Sequence, residues 1–140
     1  MLILYGYLHR RTEDIDTVDE IPAAIRAEHD LLRRLVDQYN LQLTHFQSRY
    51  LPSGWETRVK YRDTFGRLYV SLVNPIDIFV GKLFSLRIKD RDDLRALADQ
   101  LDRTEIEKRL RETTASFTNE PKLLNAAKSN WYIVFGTDLP

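Results

Sequence analysis

The sequence predicts an α+β fold in a single domain spanning 1–140. A small mixed or antiparallel sheet with helices occupies 1–73, and a helical part follows over 74–140. Two observations predict this. Before residue 74, short segments alternate apolar and polar side chains with the period of two that gives a strand one buried face. From Asn74 onward, apolar residues recur at helical spacing, and each run opens with residues that start helices. The five glycines and five prolines are scattered, and neither a repeat nor a low-complexity linker divides the chain.

In order, residues 1–8 suit the tail of a buried helix better than a strand, stopping near Gly6 or the basic His9-Arg10-Arg11. Residues 13–18 alternate and suggest a short strand. Pro22 opens a helix at its first turn, where a missing N–H costs nothing. That helix is expected to run to about Tyr39, with Ile25, Leu32, Leu35 and Val36 on one face and Asn40 as its stop. Residues 41–46 form a candidate second strand, and Leu51-Pro52-Ser53-Gly54 a turn. A hairpin pattern then places Thr57, Val59 and Tyr61 in alternation with Glu56, Arg58, Lys60 and Arg62. Asp63–Gly66 is its expected loop, and the nearly apolar Leu68–Val73 its return strand, expected to be central.

Asn74 is a good N-cap, Pro75 follows at the first helical position, and Asp77 falls at the capping-box position. Ile78, Phe79, Leu83 and Leu86 give that helix a wide apolar face. Asp90 is expected to cap the next helix, with Asp93 three residues on. Thr104 with Glu107 suggests a further capping box for a helix to about Thr113, and Asn119-Glu120-Pro121 opens the last helical region. Trp55 and Trp131 are most simply core or domain-interface aromatics.

Composition narrows the function classes. Lys plus Arg and Asp plus Glu both number 21, so no bulk charge draws the chain to nucleic acid or anionic membrane. The absence of cysteine excludes disulfides, thiolate metal sites and cysteine nucleophiles, and fits a reducing compartment. No apolar run approaches the roughly 20 residues of a membrane span, so the expectation is a cytoplasmic protein without a membrane partner.

Asp14 and Asp16 carry the strongest chemical signal. Aspartates at i and i+2 on a strand point to one face and can hold a hard divalent cation jointly. Two Mg²⁺ ions about 3.5–4 Å apart suit phosphoryl transfer, because they clamp the attacking and leaving oxygens together. The spacing alone equally describes a solvated strand edge. Its surroundings are more specific: a small glycine turn, Arg11-x-x-Asp14-Ile15-Asp16, and a helix opened by Ile21-Pro22. Leu51-Pro52-x-Gly54-Trp55-x-x-Arg58, Asn74-Pro75-Ile76-Asp77-Ile78 with Lys82-Leu83, and Arg91-Asp92-Asp93-Leu94 follow in order. Over about residues 5–100, this series resembles the nucleotidyltransferase (DNA polymerase β-like) superfamily, in a bacterial branch similar to abortive-infection-type nucleotidyltransferase toxins.

The resemblance implies a nucleotidyltransferase-like fold and Mg²⁺-dependent transfer of a nucleoside monophosphate from an NTP. The acceptor would be RNA, protein or a small molecule. It implies that Asp14 and Asp16 ligate Mg²⁺ as the catalytic pair, that Lys82 reaches a nucleotide phosphate, and that Arg11 or Arg87 helps neutralise the triphosphate. From the residues alone, Lys82 equally suits a side chain snorkelling from its helix, and Asp77, Asp90, Asp92 and Asp93 suit helix capping. His9, His29 and His45 are scattered and have no assigned role.

Two departures from the family pattern stand out. A Gly-Gly or Gly-Ser pair should precede the aspartates and cradle phosphate, yet counting back from Asp14 places it before Met1. The expectation is therefore a truncated start or a degenerate member. A third carboxylate is also missing from Leu68–Val73, and Glu56 or Asp63 is the candidate substitute. The alternative function is a non-catalytic interaction module of the same fold, a toxin–antitoxin-type component with an antitoxin partner or a homodimer.

Overall fold

The computed structural model describes residues 13–66, 68–117 and 119–140. The helix tail expected over 1–8, and Arg11, lie outside them. The chain forms two compact units, Met1–Arg49 and Tyr50–Pro140. The fold is the expected mixture of helices with small sheets, and the hairpin grouped in sequence with 1–73 belongs to the second unit. No helix among the described residues is long and apolar enough to cross a membrane.

In the first unit, strand β1 (Asp14–Val18) pairs in parallel with β2 (Gln42–Phe46), Asp14 opposite Gln42 and Val18 opposite Phe46. Parallel pairing requires a crossover, and helices α1 (Ala23–Arg26) and α2 (His29–Tyr39) supply it. The single helix expected from Pro22 to Tyr39 is thus two. Glu28 has φ −82° and ψ 61°, and the His29 N–H donates to the Ala27 carbonyl at 3.0 Å. That is an inverse γ-turn, which interrupts the helix without a glycine or proline. Asn40 ends α2 in the left-handed region (φ 51°), as expected, and its N–H donates to the Leu35 and Val36 carbonyls.

In the second unit, β3 (Lys60–Phe65) and β4 (Leu68–Leu72) form an antiparallel pair. Three expectations change here. Trp55–Arg58 is a 3-10 turn rather than strand, launched by Gly54 at φ 73° and fastened where Thr57 Oγ1 donates to the Gly54 carbonyl at 2.8 Å. Glu56, Arg58 and Lys60 therefore do not share a strand face. Asp63 and Thr64 are strand rather than loop, and the turn passes through Gly66 at φ 62°. Among the described residues β4 has only β3 beside it, so it is not central; it turns Leu72 inward while Tyr69 stays 77% exposed.

Helix α3 (Pro75–Leu83) packs against α4 (Lys89–Ala98), α5 (Arg103–Phe117) and α6 (Pro121–Phe135). Asn74 caps α3 as expected, its Oδ1 accepting from the Ile76 N–H at 2.9 Å. Phe79, Leu83, Leu94, Leu97, Ile106, Leu110 and Trp131 are buried between these helices, with the Trp131 and Phe135 ring centroids 4.3 Å apart. Gly81 lets α3 come close to the Tyr50 backbone, because a Cβ there would lie 2.8 Å from the Tyr50 carbonyl oxygen.

Three capping assignments are corrected. Asp102, not Thr104, caps α5, accepting from the Thr104 N–H at 2.8 Å, while Glu107 bonds Arg103. Asp90 lies inside the first turn of α4, which follows Ile88, and its carboxylate faces side chains instead of capping. Asp77 is wholly buried and ion-paired, as described below.

Candidate metal and nucleotide site

Asp14 and Asp16 lie on one face of β1, both within reach of solvent. The parallel register sets Thr44 opposite Asp16, and its hydroxyl donates to Asp16 Oδ1 at 2.6 Å. The same ladder is tied from its other face, where Thr17 Oγ1 donates to the Thr44 carbonyl at 3.1 Å. Beyond the strand, Asp19 adopts φ 59°; its N–H donates to the Phe46 carbonyl, and its carboxylate accepts from the Ser48 N–H, both at 2.7 Å. Asp19 thus closes the end of the pair, and one oxygen of Asp16 is already held in place.

Two carboxylates and a hydroxyl form a hard oxygen donor set. Mg²⁺ commonly binds through one or two carboxylates and fills its octahedron with water and substrate phosphate, so Asp14 and Asp16 fit it. Among the described residues no group of three or more metal-ligating side chains is formed. The candidates for a third carboxylate belong to the second unit: Glu56 in the 3-10 turn, and Asp63 in β3, where it accepts from the Thr64 N–H at 2.8 Å.

The second unit draws its own motif residues together. Arg58 grips Asp77 in a two-pronged pair, Nε to Oδ2 at 3.0 Å and Nη2 to Oδ1 at 3.1 Å. Arg109 from α5 also bonds Asp77 Oδ1. The Arg58 guanidinium donates in addition to the Ser53 carbonyl at 2.9 Å. The Pro52–Arg58 segment, α3 and α5 are thereby joined at one buried carboxylate.

Lys82 makes a second junction. Its ammonium bonds Asp90 and lies 3.0 Å from Asp93, while the Ser85 hydroxyl donates to Asp90 at 2.6 Å. Burial pushes the Asp90 carboxyl up, but Lys82, Ser85 and Arg87 together carry it below its ordinary value. Arg87 is mostly exposed, with its Nε 3.8 Å from Asp90. Asn130 of α6 donates to the Leu83 and Ser85 carbonyls at 2.9 and 3.0 Å, and Arg91 Nε donates to its Oδ1 at 3.2 Å.

The sequence model of the family described as "Nucleotidyltransferase of unknown function (DUF6036)" matches residues 1–134. The chain belongs to this family. No curated protein and no solved structure matches it. In this nucleotidyltransferase-like chain, Asp14 and Asp16 share a face of the first unit, and Lys82 and Arg87 share the neighbourhood of Asp90 in the second. Arg11 lies outside the described residues. Sequence reasoning missed Thr44, which orients Asp16, and Arg109, which completes the Asp77 junction. Thr44 was findable only through the register of β2 against β1, and nothing in the local pattern of α5 sets Arg109 apart.

Proposed function

We propose that the chain is a Mg²⁺-dependent nucleotidyltransferase. In this reading an acceptor oxygen attacks the α-phosphorus of an NTP; the new O–P bond forms as the α–β bridging P–O bond breaks. Pyrophosphate leaves, and the acceptor hydroxyl gives up its proton to solvent. The observation that carries the reading is the Asp14–Asp16 pair on one face of β1, with Asp16 steadied by Thr44, in a chain of a nucleotidyltransferase family.

Asp14 and Asp16 would hold the metal, which when bound neutralises charge developing on the phosphate oxygens. Thr44 keeps the Asp16 carboxylate turned for this role, leaving its second oxygen for coordination. Of the two described cations that the resemblance assigns to phosphate, Arg87 is the more exposed and the better able to meet one. Lys82 would have to exchange two carboxylates for it.

Calorimetric titration of ATP, GTP, CTP and UTP with Mg²⁺, on this chain and on Asp14→Ala and Asp16→Ala, tests the reading. Binding of at least one nucleotide that needs both the metal and the aspartates is the expected result. Binding indifferent to Mg²⁺ or to both substitutions overturns it. No binding by any of the proteins also overturns it, leaving a non-catalytic interaction module of the same fold.

A further inference from the structure

A buried polar side chain needs hydrogen-bond partners, and Asn130 on α6 is only 3% exposed. Its amide nitrogen donates to the Leu83 and Ser85 carbonyls, and its Oδ1 accepts from Arg91 Nε. These partners fix which way the amide points, because carbonyls only accept and a guanidinium only donates. One side chain thus grips the end of α3, the connection after it and the first turn of α4, at sequence separations of 39 to 47. Phe79, Leu94, Leu97 and Trp131 are already buried where α3, α4 and α6 pack. The amide instead holds the two ends of the segment that joins α3 to α4.

From Ser85 the order passes to a cation. The Ser85 hydroxyl accepts from the Arg87 N–H at 3.1 Å and donates to Asp90 Oδ2 at 2.6 Å, the same oxygen that Arg87 Nε approaches at 3.8 Å. Leu86, Arg87 and Ile88 nevertheless stand out into solvent from this pinned base, the Arg87 side chain 62% exposed. A long side chain on a loose loop loses conformational freedom, its own and the loop's, when it meets an anion. On a backbone held at both ends the loss is smaller, and the contact is correspondingly stronger.

We propose that Asn130 is a positioning residue for a phosphate contact of Arg87, holding residues 83–91 so that the guanidinium meets a polyphosphate from a fixed root. That the polyphosphate belongs to a nucleotide rests on the transferase reading above.

The test is a double-mutant cycle on the full chain, read by calorimetric titration of inorganic tripolyphosphate with Mg²⁺. Arg87→Ala should weaken binding about tenfold, as loss of a hydrogen bond between charged groups does. Asn130→Ala should weaken it about 3- to 10-fold in the wild-type background, and not at all in the Arg87→Ala background, where nothing remains to be positioned. A role confined to the framework of the fold would act equally in both backgrounds, or in neither, and either result overturns the proposal. Asn130→Ser keeps a hydroxyl and takes the place of Asn130→Ala if that variant shows no cooperative thermal transition. Loss of folding in both assigns the amide to the framework and also overturns the proposal, as do a wild-type chain that does not bind and an Arg87→Ala chain that binds as the wild type does. The nucleotide titration with the aspartate variants separates the two failures. Nucleotide binding that needs Mg²⁺, Asp14 and Asp16, beside an additive cycle, leaves the transferase reading standing without this role for Asn130. A coupled cycle beside nucleotide binding indifferent to the aspartates leaves the Arg87 contact standing without the transferase.

Discussion

The two units differ in what holds them and in what they display. None of the described residues of the first unit is fully buried, and α2 leaves Leu31, Val36 and Tyr39 between 42% and 58% exposed. The second unit wraps Phe79, Leu83, Leu94 and Trp131 completely and ties its helices together at two buried carboxylates. Acidic side chains therefore have opposite fates. Asp16 stays exposed to solvent, with one carboxylate oxygen held by Thr44. Asp77 and Asp90 are neutralised internally and hold helices in place. A residue type that suggests chemistry in sequence acts as a fastener wherever cations converge on it.

The largest effect that would break this contrast is at Asp77. Asp77→Ala removes the buried carboxylate shared by Arg58 and Arg109, leaving Arg109 with Glu112 at 3.5 Å, and should cost about 3–5 kcal/mol in urea unfolding. Replacing all three residues by apolar ones of similar size should recover most of that loss. If Asp77→Ala unfolds as the wild type does, the buried junction is not what secures α3 to α5.

Next in size is Asp90→Asn, expected to cost about 1.5–3 kcal/mol at neutral pH, less than Asp77 because Lys82 keeps Asp93. The carboxyl of Asp90 titrates below its ordinary 3.8 in the folded chain. Its stabilisation is thus full above that value and is lost as pH falls through the lower folded value. Unfolding measured across acid pH should show a shallower decline in Asp90→Asn than in the wild type; parallel profiles would assign the acid sensitivity to other groups.

In the first unit the same kind of change should move binding rather than stability. Thr44→Val removes the hydroxyl that holds Asp16 and should weaken Mg²⁺-dependent nucleotide binding by about 10–100-fold in calorimetry. An unchanged affinity would show that Thr44 does not position the carboxylate. Smallest of all is the effect of Asp16→Ala on folding, expected within about 0.5 kcal/mol by thermal unfolding, because that side chain is exposed. A larger loss would mean that this aspartate, too, is a fastener, and the contrast between the units would fail.

Much of the local structure was legible because it depends on neighbours in sequence. Alternation over 13–18 placed β1, the candidate strand over 41–46 became β2, Asn40 stopped α2 in the left-handed region, and Asn74 with Pro75 opened α3. Errors arose where one local signal supported two geometries. Asp77 and Asp90 sit where capping residues belong, yet each is engaged by side chains distant in the chain. Trp55–Arg58 alternates as a strand does, but Arg58 is drawn to the Ser53 carbonyl and to Asp77, which favours a tight turn. The break at Glu28 carries no proline or glycine to announce it.

The sequence by itself determined the mixed α+β class, the start of the helical part at Asn74, and the placement of Asp14 and Asp16 on one strand face. These follow from side-chain periodicity and from backbone preferences of single residues, which act over a few positions. Only the tertiary structure decided that Thr44 meets Asp16, that Arg58 and Arg109 meet on Asp77, and that Lys82 is held by Asp90 and Asp93. Those pairings depend on register and on helix packing, which bring together residues up to 32 positions apart. A charge has no preferred partner until folding brings one within reach.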